Sequence, residues 1–168
     1  MLFRSFTADK PLKLTIAYNT SENHRRIAVA IQSMWKAVGV QAELFNTEVA
    51  VHYNNMQQGN FDVGRAGWIA DYNDPQNFLY LMQTSTGPLN YAKYNNAEFD
   101  RLMDEAARTV DLEVRGDLMK KAEAIAMEDL PNIPIYYYVS KQLVSTKLAG
   151  WKDNTKDIHR TRWMSLGN

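Results

Sequence analysis

The sequence predicts an α/β fold, and three observations predict it. Leu12, Leu14, Ile16 and Tyr18 alternate with Lys13, Thr15 and Ala17, the two-residue period of a half-buried strand. Ile27, Ala30, Ile31, Met34 and Val38 then recur at helical spacing, and residues 40–45 return to a strand pattern. The order repeats, with a helix over 48–58 and a strand over 61–67, and strands alternating with helices favour parallel pairs joined by right-handed crossovers.

Each element has its own boundary signals. Asn19, Thr20 and Ser21 offer side-chain oxygens for a helix N-cap, and Gly39 supplies the C-terminal stop. The helix over 48–58 ends at Gly59-Asn60. Asp74 caps a short helix that has Pro75 at its first position and covers 77–83; residues 84–88, Thr-Ser-Thr-Gly-Pro, form a turn-rich surface loop. Two longer helices follow. Residues 98–109 present Phe99, Leu102, Met103 and Ala106 on one face, and 112–128 present Leu118, Ala122, Ile125 and Ala126, which suits an antiparallel pair joined near Asp111. Leu130-Pro-Asn-Ile-Pro134 breaks the second helix before a strand over 135–139. In that strand Tyr136 and Tyr138 share one face and Tyr137 takes the other, one face being core and the other free to offer a phenol. Residues 142–145 are weakly strand-like. Beyond Gly150 no period holds, and Trp151 and Trp163 stand among polar residues as though made to pack against something outside the chain.

Composition narrows the function classes. A length of 168 residues fits one domain, and 45% hydrophobic content supports a core. Lys plus Arg and Asp plus Glu balance at 19 each, with no basic block, which disfavours nucleic acid. The absence of cysteine removes disulfides, thiolate nucleophiles and cysteine metal sites but fits either redox compartment. No stretch approaches the roughly 20 apolar residues that span a bilayer. Residues 1–7 lack the basic and apolar segments of an export signal, so an exported parent carries its signal upstream. His24, His52 and His159 show no zinc-ligand spacing, and no phosphate loop or nucleophile elbow is present; no catalytic residue, metal or cofactor is expected. Asn19-Thr-Ser21 matches a glycosylation sequon, which the helix cap explains.

The chemistry concentrates in residues 65–75, Arg-Ala-Gly-Trp-Ile-Ala-Asp-Tyr-Asn-Asp-Pro, at the exit of a strand, where open α/β sheets hold ligands. Asp71 offers a carboxylate and Trp68 an indole face, a pairing that recognises an ammonium group. A plain turn leading into a helix reads equally well. Arg65 suits a carboxylate bidentately, or a structural salt bridge to Asp62 or Asp71. His24 either faces the loops at the strand ends or is a solvated surface residue beside Arg25 and Arg26.

At these residues the chain resembles the extracytoplasmic peptide-binding proteins of ABC importers, family 5 of the solute-binding proteins. Residues 14–24, 59–75 and 133–139 look like that family's segments in the same order and at similar spacing. The resemblance implies a periplasmic-binding-protein-like lobe, a mixed sheet flanked by helices, with a C-terminal tail belonging to a second lobe. It implies ligand-binding roles: Asp71 holds a peptide's α-amino group, Trp68 lines the adjacent pocket, Arg65 and His24 face the carboxylate end, and Tyr138 lies at the cleft. The peptide is then treated as an added strand, with hydrated pockets for its side chains. Where close relatives carry an arginine three residues before the glycine matching Gly59, this chain has Met56, which changes a contact that helps set ligand length.

The implied function is the oligopeptide- or dipeptide-binding component of an ABC transport system, periplasmic and non-enzymatic, whose full-length form works with a membrane permease. The chain resembles the C-terminal third of such a protein. Residues 1–139 would form most of one lobe and 140–168 a tail crossing towards the missing lobe, and an isolated fragment of this kind is prone to dimerise. Alternatives are a family member for a non-peptide ligand, a hydrolase using Asp71 and His24 as acid and base, and a receptor-like scaffold.

Overall fold

The computed structural model describes residues 10–167, so the opening segment lies outside it. By internal contacts the chain divides into two compact units. One runs up to Gly67 and takes in Thr86–Lys93; the other comprises Trp68–Ser85 and everything from Tyr94 onward.

The first unit is built on a parallel sheet in the order β2-β1-β3. Strand β1 (Leu12–Asn19) pairs along its whole length with β2 (Val40–Thr47), Leu12 opposite Val40 and Asn19 opposite Thr47; on its other edge Ile16 and Ala17 pair with Val63 and Gly64 of β3 (Val63–Gly64). Opposed residues in a ladder share a face, so Leu14, Ile16 and Tyr18 line up with Ala42 and Leu44. Helix α1 (Glu22–Ala37) covers that face with Ala28, Ile31 and Trp35. Helix α2 (Val49–Gln58) covers the other, where buried Met56 occupies the space a Cβ on Gly64 would need. Coverage on both faces is why Ile16, Ala17, Tyr18 and Asn19 are all buried.

Two sequence expectations need correction in this unit. The buried stripe of α1 is Ala28, Ile31 and Trp35, while Met34 and Val38 are exposed at 68% and 76%. The apolar positions fit two adjacent faces, and contact with the sheet selects one. The expected strand over 61–67 shrinks to Val63–Gly64, because its edge finds ladder partners only at Ile16 and Ala17. Ser21 takes the N-cap position of α1 without a side-chain bond, whereas Glu48 caps α2 by accepting from the Ala50 amide. Gly59, at φ 77°, closes α2 with paired bonds from Gly59 N to Met56 O and Asn60 N to Asn55 O.

The second unit has a helical core. Helix α3 (Gln76–Leu79) continues as a 3-10 turn over Tyr80–Met82, and α4 (Ala97–Arg108) and α5 (Leu112–Asp129) pack together. Phe99, Leu102, Met103 and Ala106 interlock with Leu118, Met119, Ala122 and Ala126, and Leu79 and Met82 close the cluster. The expected faces of both long helices are borne out. Asn96 and Asp111 cap them, each side chain accepting from two backbone amides of the first turn.

Past Leu130 the structure departs from expectation. Residues 135–139 and 142–145 form no strand, and Tyr137 is 96% exposed with Tyr136 and Tyr138 half-exposed, so neither face is core. A strand needs a ladder partner, and within this unit the segment meets none. The tail instead closes on itself through an antiparallel pair, β4 (Leu148–Ala149) with β5 (Ser165–Leu166). Gly150, at φ 83°, permits the close approach of the Trp163 carbonyl that a Cβ would block. Trp151 is not partnerless: it stacks on His159 with ring centroids 3.7 Å apart. Trp163 remains 71% exposed beneath the Arg162 guanidinium. Parallel and antiparallel pairing thus both occur, as expected of this α/β class, but in separate sheets.

Candidate functional site

Each unit contributes a group of polar side chains. In the first, the C-terminal end of β1, the first turn of α1 and the exit of β3 converge on Asn19. The buried Asn19 carbonyl lies 3.3 Å from His24 Nδ1, and its side-chain Oδ1 accepts from Arg65 Nη1 at 3.5 Å. A carbonyl can only accept, so His24 Nδ1 carries the hydrogen and Nε2 holds the lone pair of the neutral ring. Burial, then the positive charge of Arg65, holds the His24 imidazole below its ordinary range; the Asn19 carbonyl opposes this and His52 adds to it. Arg65 is fixed at its backbone: its amide donates to Ala17 O at 2.8 Å, and its carbonyl lies 2.8 Å from Nε2 of the buried His52. Asp62, offered by the sequence as a salt-bridge partner for Arg65, instead accepts from the Thr15 amide and hydroxyl through Oδ2. Met56, where an arginine contact was at issue, is 2% exposed and belongs to the core.

In the second unit one atom organises the loop. Asn77, 1% exposed, accepts through Oδ1 from Trp68 Nε1 and from the Asp71 amide, both at 2.9 Å. The Tyr80 ring meets the Trp68 indole edge to face at 6.1 Å. Burial raises the Tyr80 phenol, with the Asp71 carboxylate the next contribution, which places that charge in its vicinity. Among the described residues the Asp71 carboxylate has no hydrogen-bond or ion-pair partner, although its backbone is pinned. A held, solvent-facing carboxylate in a loop with an ordered indole is suited to an incoming cation.

Asp74 plays the structural part assigned to it and more. Its Oδ1 accepts from the Gln76 amide at 2.9 Å, and its carboxylate takes both Arg115 guanidinium nitrogens, at 2.6 and 2.9 Å. The Arg115 bond holds the Asp74 carboxyl below the usual range. Tyr138 lies in the tail, half-exposed, its ring 5.0 Å from that of Tyr136, on the rim of an open hollow shared with Trp151, Asp153 and Asp157.

Thus Trp68 and Asp71 share one group in the second unit, His24 and Arg65 share another in the first, and Tyr138 lies in the tail. Sequence reading missed Asn77 and His52, whose polar side chains are almost wholly buried. No local pattern in so short a helix marks Asn77.

Each unit, taken by itself, presents polar side chains of a kind suited to a polar solute. The chain belongs to the family described as "Bacterial extracellular solute-binding proteins, family 5 Middle", which it matches over residues 2–90. It is 42% identical over 159 residues to the periplasmic murein peptide-binding protein MppA of Escherichia coli, covering 94% of this chain and 29% of MppA. It is also 42% identical over 147 residues to the periplasmic oligopeptide-binding protein OppA of E. coli, covering 87% of this chain and 27% of OppA. In structure it superimposes on the Haemophilus influenzae OppA complex with the peptide RPPGFSPFR at a TM-score of 0.89 and 34% identity, over 99% of this chain and 33% of that one. The E. coli murein tripeptide-binding protein MppA gives the same TM-score of 0.89 at 39% identity, over 98% and 33%. The chain therefore spans under a third of the length of these relatives. Members of this family bind solutes and are not enzymes, and the likeness to periplasmic proteins supports a periplasmic location.

Proposed function

We propose that this chain supplies ligand contacts of an oligopeptide- or dipeptide-binding protein that serves an ABC importer. The observation that carries the reading is the Asp71 carboxylate, pinned through its backbone to Asn77 and without a hydrogen-bond or ion-pair partner among the described residues. It takes the α-ammonium of a peptide, and Trp68 lines the adjacent space. Arg65 and His24 form a basic group suited to a ligand carboxylate or backbone carbonyl, directly or through water. The similarity to relatives named for murein peptides and oligopeptides supports the same ligand class.

On this reading residues 1–139 form most of one lobe of a two-lobed protein, and residues 140–168 lead to the other. The exposure of Ile133, Ile135, Tyr137 and Leu143 supports a further covering for this segment. Tyr138 then contributes to the cleft, a permease receives the loaded protein, and the isolated fragment dimerises through the same uncovered residues.

The test is calorimetry on the full-length protein with short peptides. Asp71→Ala weakens binding of peptides with a free amino terminus by about 2–5 kcal/mol, the range for truncating one partner of a desolvated charge pair. Undiminished affinity would overturn the assignment of Asp71.

A further inference from the structure

We propose that Asn77 is a positioning residue that gives the protein its selectivity for a free ammonium group, by fixing the Trp68 indole and the Asp71 backbone through one oxygen. The inference rests on the proposed role of Asp71 and extends it to a residue that never touches the ligand.

Chemistry dictates the orientation of the amide. Indole Nε1 and a backbone nitrogen are both obligate donors, so the atom 2.9 Å from each must be the oxygen, not the amino group. One carbonyl oxygen has two lone pairs, and both are used. An oxygen shared by two loop donors locks their mutual separation, which two independent bonds would leave free to vary. Trp68 is held at a second point by the Tyr80 ring, so the indole is restrained both at its nitrogen and by an edge-to-face ring contact.

The location of Asn77 reinforces this reading. It lies on α3, between Phe78, 47% exposed, and Gln76, with its own side chain 1% exposed. A buried amide destabilises a core unless its bonds repay its desolvation. The amide at this position serves the loop, and through the loop the direction in which the Asp71 carboxylate faces. Asp74 anchors the same helix from its start: Oδ1 caps the Gln76 amide while the carboxylate is clamped by Arg115. Asn77 therefore projects from a fixed base.

The experiment uses the full-length protein and two peptides that differ only in whether the amino terminus is free or acetylated. Calorimetry gives the ratio of their affinities, and proton–nitrogen correlation spectra follow the Trp68 indole N–H. In Asn77→Leu the ratio falls by about tenfold, the consequence of misaiming one charge-assisted hydrogen bond, because the free-amino peptide weakens more than the acetylated one, and the indole signal moves upfield. Asn77→Asp keeps an acceptor oxygen and restores both the ratio and the indole signal. If Asn77→Leu does not fold, Asn77→Ser, whose hydroxyl is too short to reach both donors, carries the same expectation. Equal weakening for both peptides, or an unchanged ratio, overturns the positioning role. Asp71→Ala run in parallel separates the two readings. If Asp71→Ala leaves the ratio intact, the ammonium site itself is refuted. If it collapses the ratio and the Asn77 variants do not, only the role of Asn77 fails.

Discussion

Replacing Asp74 by asparagine isolates the charge that anchors the loop-bearing helix. Asparagine keeps an Oδ1 to accept from the Gln76 amide, so the cap survives and the carboxylate's attraction for Arg115 is removed. Exposed ion pairs contribute about 0–1 kcal/mol, and breaking a fully buried pair costs about 3–5 kcal/mol. Here the Arg115 and Asp74 side chains are 19% and 28% exposed and the contact is bidentate, at 2.6 and 2.9 Å. That places the loss between the limits, at about 2 kcal/mol, and Asp74→Ala adds about 1 kcal/mol for the lost cap. The sign with pH follows from the Asp74 carboxyl lying below its ordinary range, the Arg115 bond being the largest cause. A carboxyl depressed by folding contributes stability that is present above its unfolded pKa and is lost as pH falls through its folded one. Urea unfolding followed by circular dichroism should therefore show a deficit of about 2 kcal/mol for Asp74→Asn near neutral pH, closing as the pH drops below the carboxylate range. A variant as stable as the parent at neutral pH, or a deficit that persists undiminished in acid, refutes the argument.

Two further outcomes follow from the first unit. Gly64→Val drives a side chain into the space of the buried Met56 thioether and destabilises by about 1–3 kcal/mol in urea unfolding; Met56→Ala in the same background recovers part of the loss, and simple additivity would contradict the contact. His24, held below its ordinary range by burial first and by Arg65 second, lowers the stability of the ligand-free protein as pH falls through the unfolded value towards the folded one, because the unfolded chain takes up the proton more readily. Its Nε2 has no hydrogen to give while the ring is neutral. A ligand carboxylate at this position thus draws a proton onto His24, so calorimetry in buffers of different ionisation enthalpy should report proton uptake on binding. His24→Gln should abolish that uptake, and an unchanged value in the variant would exclude His24 from the contact.

Much of the fold was legible in the residues, and the reason differs by element. The faces of α4 and α5 could be read because Phe99, Leu102, Met103 and Ala106 recur at a helical period with charged residues between them. The face of α1 could not, since Ile27, Met34 and Val38 are as apolar as Ile31 and Trp35, and only the sheet decides which stripe it covers. The segment over 135–139 carries strand composition, but a strand exists only through its neighbours, and within its unit it has none. For the site, Asp71 and Trp68 were visible as residue types in a loop. The oxygen that orders them was not, because an asparagine in a four-residue helix has no local signature.

The sequence by itself determined the α/β class, the glycine stops at Gly39 and Gly59, the faces of the long helices and the residue types of the loop over 65–75, because these depend on period and chemistry within a few residues. The tertiary structure alone decided that Asp62 serves Thr15, that Asp74 serves Arg115, that His52 holds the Arg65 carbonyl, and that Asn77 joins Trp68 to Asp71. Each of those outcomes depends on which donor and acceptor come within about 3 Å once distant segments have packed, and no period along the chain encodes that distance.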